Sequence, residues 1–262
     1  MTTIKNSRFP TSTLASLPLF LGLLSFAAPA VADTFSIQYF EVPTGSADFY
    51  NGVNVPLGVS TDYVSQTLGA DGLPVFNPGF TASSGKVNAP NSIYQNASHE
   101  VLYWSPSNPN GGHVIADGTG TITLSSTPVS MFAPGTGGND STFEETAILT
   151  GDFTVPQGDT DTVTFDVGAD DSAFVYVDGN LVESLAGIHA DVSIPSNTVT
   201  YGPGTHQIEI FYADRDPTNA SLSFTDSANL SITPKPVPEP RSIILFGTGL
   251  VFLAAMLRSY AR

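Results

Sequence analysis

Six stretches of this chain alternate apolar with polar residues or are dense in β-branched and aromatic ones. They are TFSIQYFEV (34–42), GTITLSS (120–126), DTVTFDVG (161–168), AFVYVDGNLV (173–182), HQIEIFYAD (206–214) and ASLSFTD (220–226). A period of two places one side chain in the core and the next outside, the pattern of a half-buried strand. Clusters of Gly, Pro, Asn, Asp and Ser separate the runs and mark turns. Asp178-Gly179, between FVYV and NLV, is the strongest short-range hairpin signal in the sequence. One stretch alone, STDYVSQTLG (60–69), is a candidate for a short helix, with Ser60 or Thr61 as its cap. So many short strands predict an all-β antiparallel sandwich or barrel, held as one domain over 33–233. Strict alternation sends Phe174, Tyr176 and Leu181 to one face and Val175 and Val177 to the other. Two Gly-, Ser- and Asn-rich stretches, 77–100 and 133–145, read as long loops.

The charge is lopsided. Of 24 acids only Glu239 lies outside residues 33–237, while of eight Lys and Arg only Lys86, Arg215 and Lys235 lie inside. Such a body repels phosphate backbones, so no nucleic-acid partner is expected, and it attracts divalent cations. There are no cysteines, so burial or bound metal must do the work of disulfides. Enzyme motifs are missing: no Gly-x-Ser-x-Gly elbow, no second His completing His99-Glu100, and no Gly-rich loop opening a helix. Paired carboxylates for glycoside hydrolysis stay open, though among so many acids almost any two would serve.

Both ends differ from the body. Lys5 and Arg8 precede LASLPLFLGLLSFAAPA, which closes on Ala30-Val31-Ala32, the layout of a signal peptide over 1–32 cleaved before Asp33. Residues 234–262 run from a proline-rich stretch through an apolar segment (about 242–257) to Arg258 and Arg262. As a helix, the sixteen uncharged residues after Arg241 span about 24 Å, a little short of the ~30 Å hydrocarbon core. Flanking arginines can snorkel, which makes the segment a short membrane anchor. Pro238-Glu239-Pro240, then an apolar span, then a basic tip resembles the PEP-CTERM sorting signal of Gram-negative bacteria. That resemblance implies exosortase as a processing partner. It also implies transient anchoring in the membrane, then delivery to the cell surface or extracellular matrix.

Asp170 and Asp171 stand directly ahead of an almost purely apolar strand. Consecutive residues of an extended chain point to opposite faces, so both carboxylates reach one point only if the backbone between them bends sharply, as a cis peptide would allow. A hard cation such as Ca²⁺ takes ~6–8 oxygens and would hold such a pair. The other reading is a loop in which Asp170 caps a turn and Asp171 is solvated.

The pair, the strand AFVYV, the turn Asp178-Gly179 and Gly187-Ile188-His189 resemble the core signature of the fibro-slime domain. Phe211-Tyr212-Ala213-Asp214-Arg215 is similar to a second strand of that family, and YVSQTLGADGLPVFNP (63–78) to its start. That family is in turn similar to the protective-antigen-type (PA-fourteen) lectin module, a β-sandwich. The resemblance implies that Asp170 and Asp171, joined by a cis peptide, hold Ca²⁺, which ligates sugar hydroxyls. The match departs at Ser172 (a third acid is common), Phe174 (Trp), Ala186 (Gly) and Asp216 (His).

Further candidates are Tyr103 and Trp104, adjacent in HEVLYWSP, of which an extended chain would send one outward. An outward aromatic suits sugar stacking, but Trp is also a good core residue, and the core is the preferred reading. His189 is a metal-ligand or hydrogen-bonding candidate. Arg215 is expected to form a partly buried pair with Asp214 or another carboxylate. The sequence thus predicts an exported, non-enzymatic surface protein that binds glycan or exopolysaccharide, with Ca²⁺ as cofactor. The alternatives are a purely structural matrix protein and a polysaccharide hydrolase.

Overall fold

The computed structural model describes residues 33–43, 48–49, 56–80, 84–85, 94–106, 114–134, 143–216 and 219–235. The expected signal peptide (1–32), the Pro238-Glu239-Pro240 triplet and the apolar run at 242–257 lie outside them. Seventeen strands occupy the described residues. In chain order they are β1 (Asp33–Pro43), β2 (Pro56–Leu57), β3 (Val64–Leu68), β4 (Pro74–Phe76), β5 (Ser84–Gly85) and β6 (Ile115–Leu124). Next come β7 (Val129–Ser130), β8 (Phe143–Val155), β9 (Asp161–Val163), β10 (Phe165–Asp170), β11 (Ser172–Val177) and β12 (Asn180–Leu185). The last are β13 (Val192–Pro195), β14 (Val199–Tyr201), β15 (Gly204–Ala213), β16 (Ser221–Asp226) and β17 (Thr233–Pro234). Among the described residues no helix is long and apolar enough to cross a membrane.

A nine-stranded sheet runs β4-β3-β12-β11-β15-β8-β1-β6, with β17 added against β8. A four-stranded sheet runs β13-β10-β16-β7. Every ladder between these strands is antiparallel. The period-two pattern explains how the sheets meet. Phe35, Ile37 and Tyr39 of β1, Ala147 and Leu149 of β8, and Ile208, Ile210 and Tyr212 of β15 face the small sheet. Val167 and Ala169 of β10 and Leu222 and Phe224 of β16 meet them, forming the core between the layers. At Gly151 an added Cβ would lie 2.5 Å from Ile232 Cγ2, so the absent side chain lets the C-terminal stretch close onto β8.

The outer face of the large sheet is also buried. Phe40, Phe174, Tyr176 and Phe211 project there, and residues from the 48–104 region, Tyr63, Phe76, Tyr103 and Trp104 among them, cover them as a second core. Phe174 and Tyr176 therefore separate from Val175 and Val177 as alternation requires, with Leu181 packing on the Tyr176 side. The β11–β12 hairpin turns on Asp178 and Gly179, both at positive φ (51° and 74°), the type I′ geometry that a Gly admits without a Cβ clash.

Two expectations fail. The helix at 60–69 is absent: Val64–Leu68 is strand β3, and Ser60 exchanges backbone hydrogen bonds of 2.8 Å with Ala186. Tyr63 and Val64 are buried against the sheet, so pairing at the sheet edge overrides the local cap. The DTVTFDVG stretch is also two strands, β9 and β10, interrupted at Thr164.

Candidate functional site

Asp170 ends β10 in the small sheet and Ser172 begins β11 in the large one. The two aspartates are the point where the chain steps between layers, and the peptide bond joining them is cis. Two other connections make the same step at the same end of the sandwich. Residues 186–191 carry the chain from β12 to β13, and a further connection leads from the end of β15 at Ala213 to the start of β16 at Ser221. Register fixes their proximity, because Asp170 pairs with Ser221 and Ser172 with Ala213.

Asp171 ties the three together. Its Oδ1 accepts the His189 N–H at 2.9 Å and its Oδ2 accepts the Arg215 N–H at 2.8 Å. The Tyr212 hydroxyl donates to the Asp170 carbonyl, and the Ser172 hydroxyl accepts the Gly187 N–H at 3.2 Å. A cavity of about 210 Å³ opens over the pair, lined by Asp170, Asp171, Ile188, His189, Ala190, Asp216 and Asn219. Asp171 is fully buried and Asp170 nearly so.

Burial pushes the Asp170 carboxyl up to about 7, with the neighbouring Asp171 charge adding to it. Burial likewise raises Asp171 to about 6, against the pull of the His189 and Arg215 N–H groups. Both shifts penalise two negative charges in one poorly solvated place. More acids stand behind the pair. Glu144 and Asp214 are 1% exposed, and neither Glu144 oxygen nor Asp214 Oδ2 has a hydrogen-bond partner among the described residues. Burial and neighbouring carboxylates raise Glu144 to about 8 and Asp214 to about 10. Among the described residues no group of three or more His, Cys, Asp or Glu is arranged to hold a metal.

The remaining sequence candidates divide. His189 reaches the cavity; its Nδ1 lies 3.0 Å from the Ala190 carbonyl, its Nε2 has no partner among the described residues, and burial lowers its pKa. Tyr103 and Trp104 do not reach it. They lie in a turn, so neither is sent outward, and both are buried at 1% and 2% exposure. Tyr103 shares a 2.9 Å hydrogen bond with the Tyr63 hydroxyl, and Trp104 Nε1 donates to the Tyr212 carbonyl at 2.7 Å. Their rings build the second core and are not open to a sugar. Arg215 is completely buried, where only partial burial was expected. Its Nε and Nη2 donate to the main-chain carbonyl of Asp48, and its guanidinium lies 5.4 and 5.8 Å from the Tyr63 and Tyr103 ring centres. It clamps the 48–104 cover onto the sheet. Asn219 (φ 67°) and Asp216 join the cavity without having been singled out as ligands. Asn219 lies in sequence only as part of an Asn-x-Ser sequon, which says nothing of this placement.

Residues 134–237 match the family model of the PA14 domain. Every residue lining the cavity falls within that match. Protein psiR of Dictyostelium discoideum is 27% identical over 213 residues, 73% of this chain and 21% of that protein. The chain thus spans about a fifth of the length of this curated relative. The PA14 domain of the MpAFP antifreeze protein is 12% identical, with a TM-score of 0.34 over 82% of this chain and 98% of that one. The PA14 sugar-binding domain from an RTX adhesin is 13% identical, with a TM-score of 0.33 over 78% and 96%.

Proposed function

We propose that this chain is an exported, non-catalytic surface protein that binds glycan through a Ca²⁺ ion held by Asp170 and Asp171. The observation that carries the reading is the convergence of three sheet-crossing connections on that pair, under an open cavity that Asp216 and Asn219 also line. The donor set fits a hard cation, since its side-chain oxygens are carboxylate and amide and no Lys or Arg among the described residues lines the cavity. A divalent ion would relieve the repulsion that raises both carboxyls. Bound there, it would act as a Lewis acid able to take sugar hydroxyls as ligands beside Asp170 and Asp171. Asp171 orients the His189 and Arg215 connections, while Asp170, less engaged, is the freer ligand. The match to the PA14 domain over residues 134–237 supports the reading, as do the fibro-slime-like motifs. The signal-peptide and PEP-CTERM-like ends support export, exosortase processing and a cell-surface or matrix location.

The test is thermal denaturation with and without chelator, beside a glycan array run under both conditions. An ion that binds only the folded state adds about 2.7 kcal/mol at a hundredfold excess over Kd. Chelator is expected to lower the melting temperature of the native chain and abolish array binding, and to leave an Asp170→Asn variant unmoved. Asp170 is the position to change, because an Asn at 171 would also disturb the two backbone N–H bonds. An unchanged melting temperature and an empty array would instead make this a structural matrix protein.

A further inference from the structure

A second pocket, of about 310 Å³, opens at the edge of the sandwich and shares no lining residue with the aspartate cavity. A β-bulge creates its floor. Tyr176 pairs with Leu181 but Val175 pairs with Glu183, so Val182 is the inserted residue. Leu181 stays with Tyr176 on the outer face, whereas Glu183 is carried to the face of Val175, toward the small sheet. Bulges re-aim side chains in this way. Glu183 is 4% exposed, and neither carboxyl oxygen has a hydrogen-bond partner among the described residues. The Val167 N–H is near enough to favour the charged form but does not reach hydrogen-bonding geometry.

The rest of the lining is neutral. Thr61, Gln66 and Asn197 bring hydroxyl and amide groups to the rim, and Leu181, Ile194 and Pro195 form an apolar wall. Among the described residues no basic side chain and no second carboxyl lines the pocket, so neither an anion nor a cation needing several carboxylates is matched. We infer that this pocket is a binding site for a neutral polyhydroxylated ligand of monosaccharide size, gripped through the Glu183 carboxyl. Burial pushes that carboxyl up to about 9. At neutral pH it is an acid that both donates and accepts a hydrogen bond, as a sugar hydroxyl requires. A cationic ligand would first have to strip its proton, a penalty of roughly 100-fold at pH 7.

This site is independent of the metal reading, and chelator separates the two. The experiment is an amide NMR titration of the ¹⁵N-labelled full chain in excess EDTA. The probes are D-glucose, D-galactose and D-mannose at up to ~50 mM, since a ligand this small binds with a Kd of order 1 mM. The expected result is saturable shifts at Glu183, Ser184 and residues 194–197 with at least one sugar, persisting in Asp170→Asn. Glu183→Gln, which keeps a neutral donor and acceptor, should hold affinity within about 3-fold, and Glu183→Leu should lose about 10-fold or more. The inference is overturned if no probe shifts these amides. It is equally overturned if shifts arise only around 170–171, 188–189 and 219, or if Glu183→Leu binds as the native chain does.

Discussion

Glu183→Gln should make the protein more stable, and the gain should grow with pH. Folded Glu183 keeps its proton up to about 9, while the unfolded side chain loses it near 4.5. Between those values the folded state binds more protons than the unfolded one, so raising the pH drains stability through this site. The contribution is whole below about 4.5 and is lost progressively toward 9. At ~1.36 kcal/mol per pH unit, the window from 4.5 to 8 sets a ceiling near 5 kcal/mol, which partial solvation of the pocket brings to about 2–3 kcal/mol. The amide has no proton to lose, so the variant escapes this drain. Urea denaturation at pH 5 and pH 8 reads the effect as the change in unfolding free energy between variant and native chain. Asp33, Glu144 and Asp214 have raised values too, but they are common to both proteins and cancel in the difference. The expected advantage is under about 1 kcal/mol at pH 5 and about 2–3 kcal/mol at pH 8, some 4–12 °C in melting temperature for a body this size. An advantage of equal size at both pH values would refute the reasoning.

Gly151→Ala should cost about 1–3 kcal/mol by driving a methyl into Ile232 and Phe35, and thermal melting should show it as a drop of several degrees. Trp104→Phe keeps an aromatic in the second core but removes the donor to the Tyr212 carbonyl, and is expected to cost about 1–3 kcal/mol by urea denaturation. Surface-released protein should begin at Asp33 and end near Pro238-Glu239-Pro240 by mass spectrometry. Recovery of intact Arg262 from the medium would contradict the sorting reading.

What the sequence discloses follows from where its periodicities are clean. β1, β15 and β16 lie within two residues of their alternating runs and β11 starts within one of its own, because each has one face on the intersheet core, whereas the 161–168 run is split between β9 and β10. The Asp178-Gly179 hairpin was legible for the same local reason. The second core was not, since Phe49, Tyr63, Phe76 and Trp104 are scattered through turn-rich sequence without a period. Nor was the inward course of Glu183: alternation puts it on Leu181's face, and only the register shift at Val175/Tyr176 moves it across. At the candidate site the aspartate pair, Gly187-Ile188-His189 and Arg215 were visible as motifs. Their meeting depends on three connections crossing at one end, which no single stretch encodes, and Asn219 and Asp216 enter through that topology alone.

Each connection at the aspartate cavity has one foot in each sheet, so the cavity has no wall belonging to a single layer. Its width is a gauge of the spacing between the layers. A side chain in the intersheet core that is too large or too small alters the site from a distance, by spreading or dropping one sheet against the other. Conversely, whatever fills the cavity acts as a rivet through the sandwich, fixing the two sheets at an end where three connections pass between them.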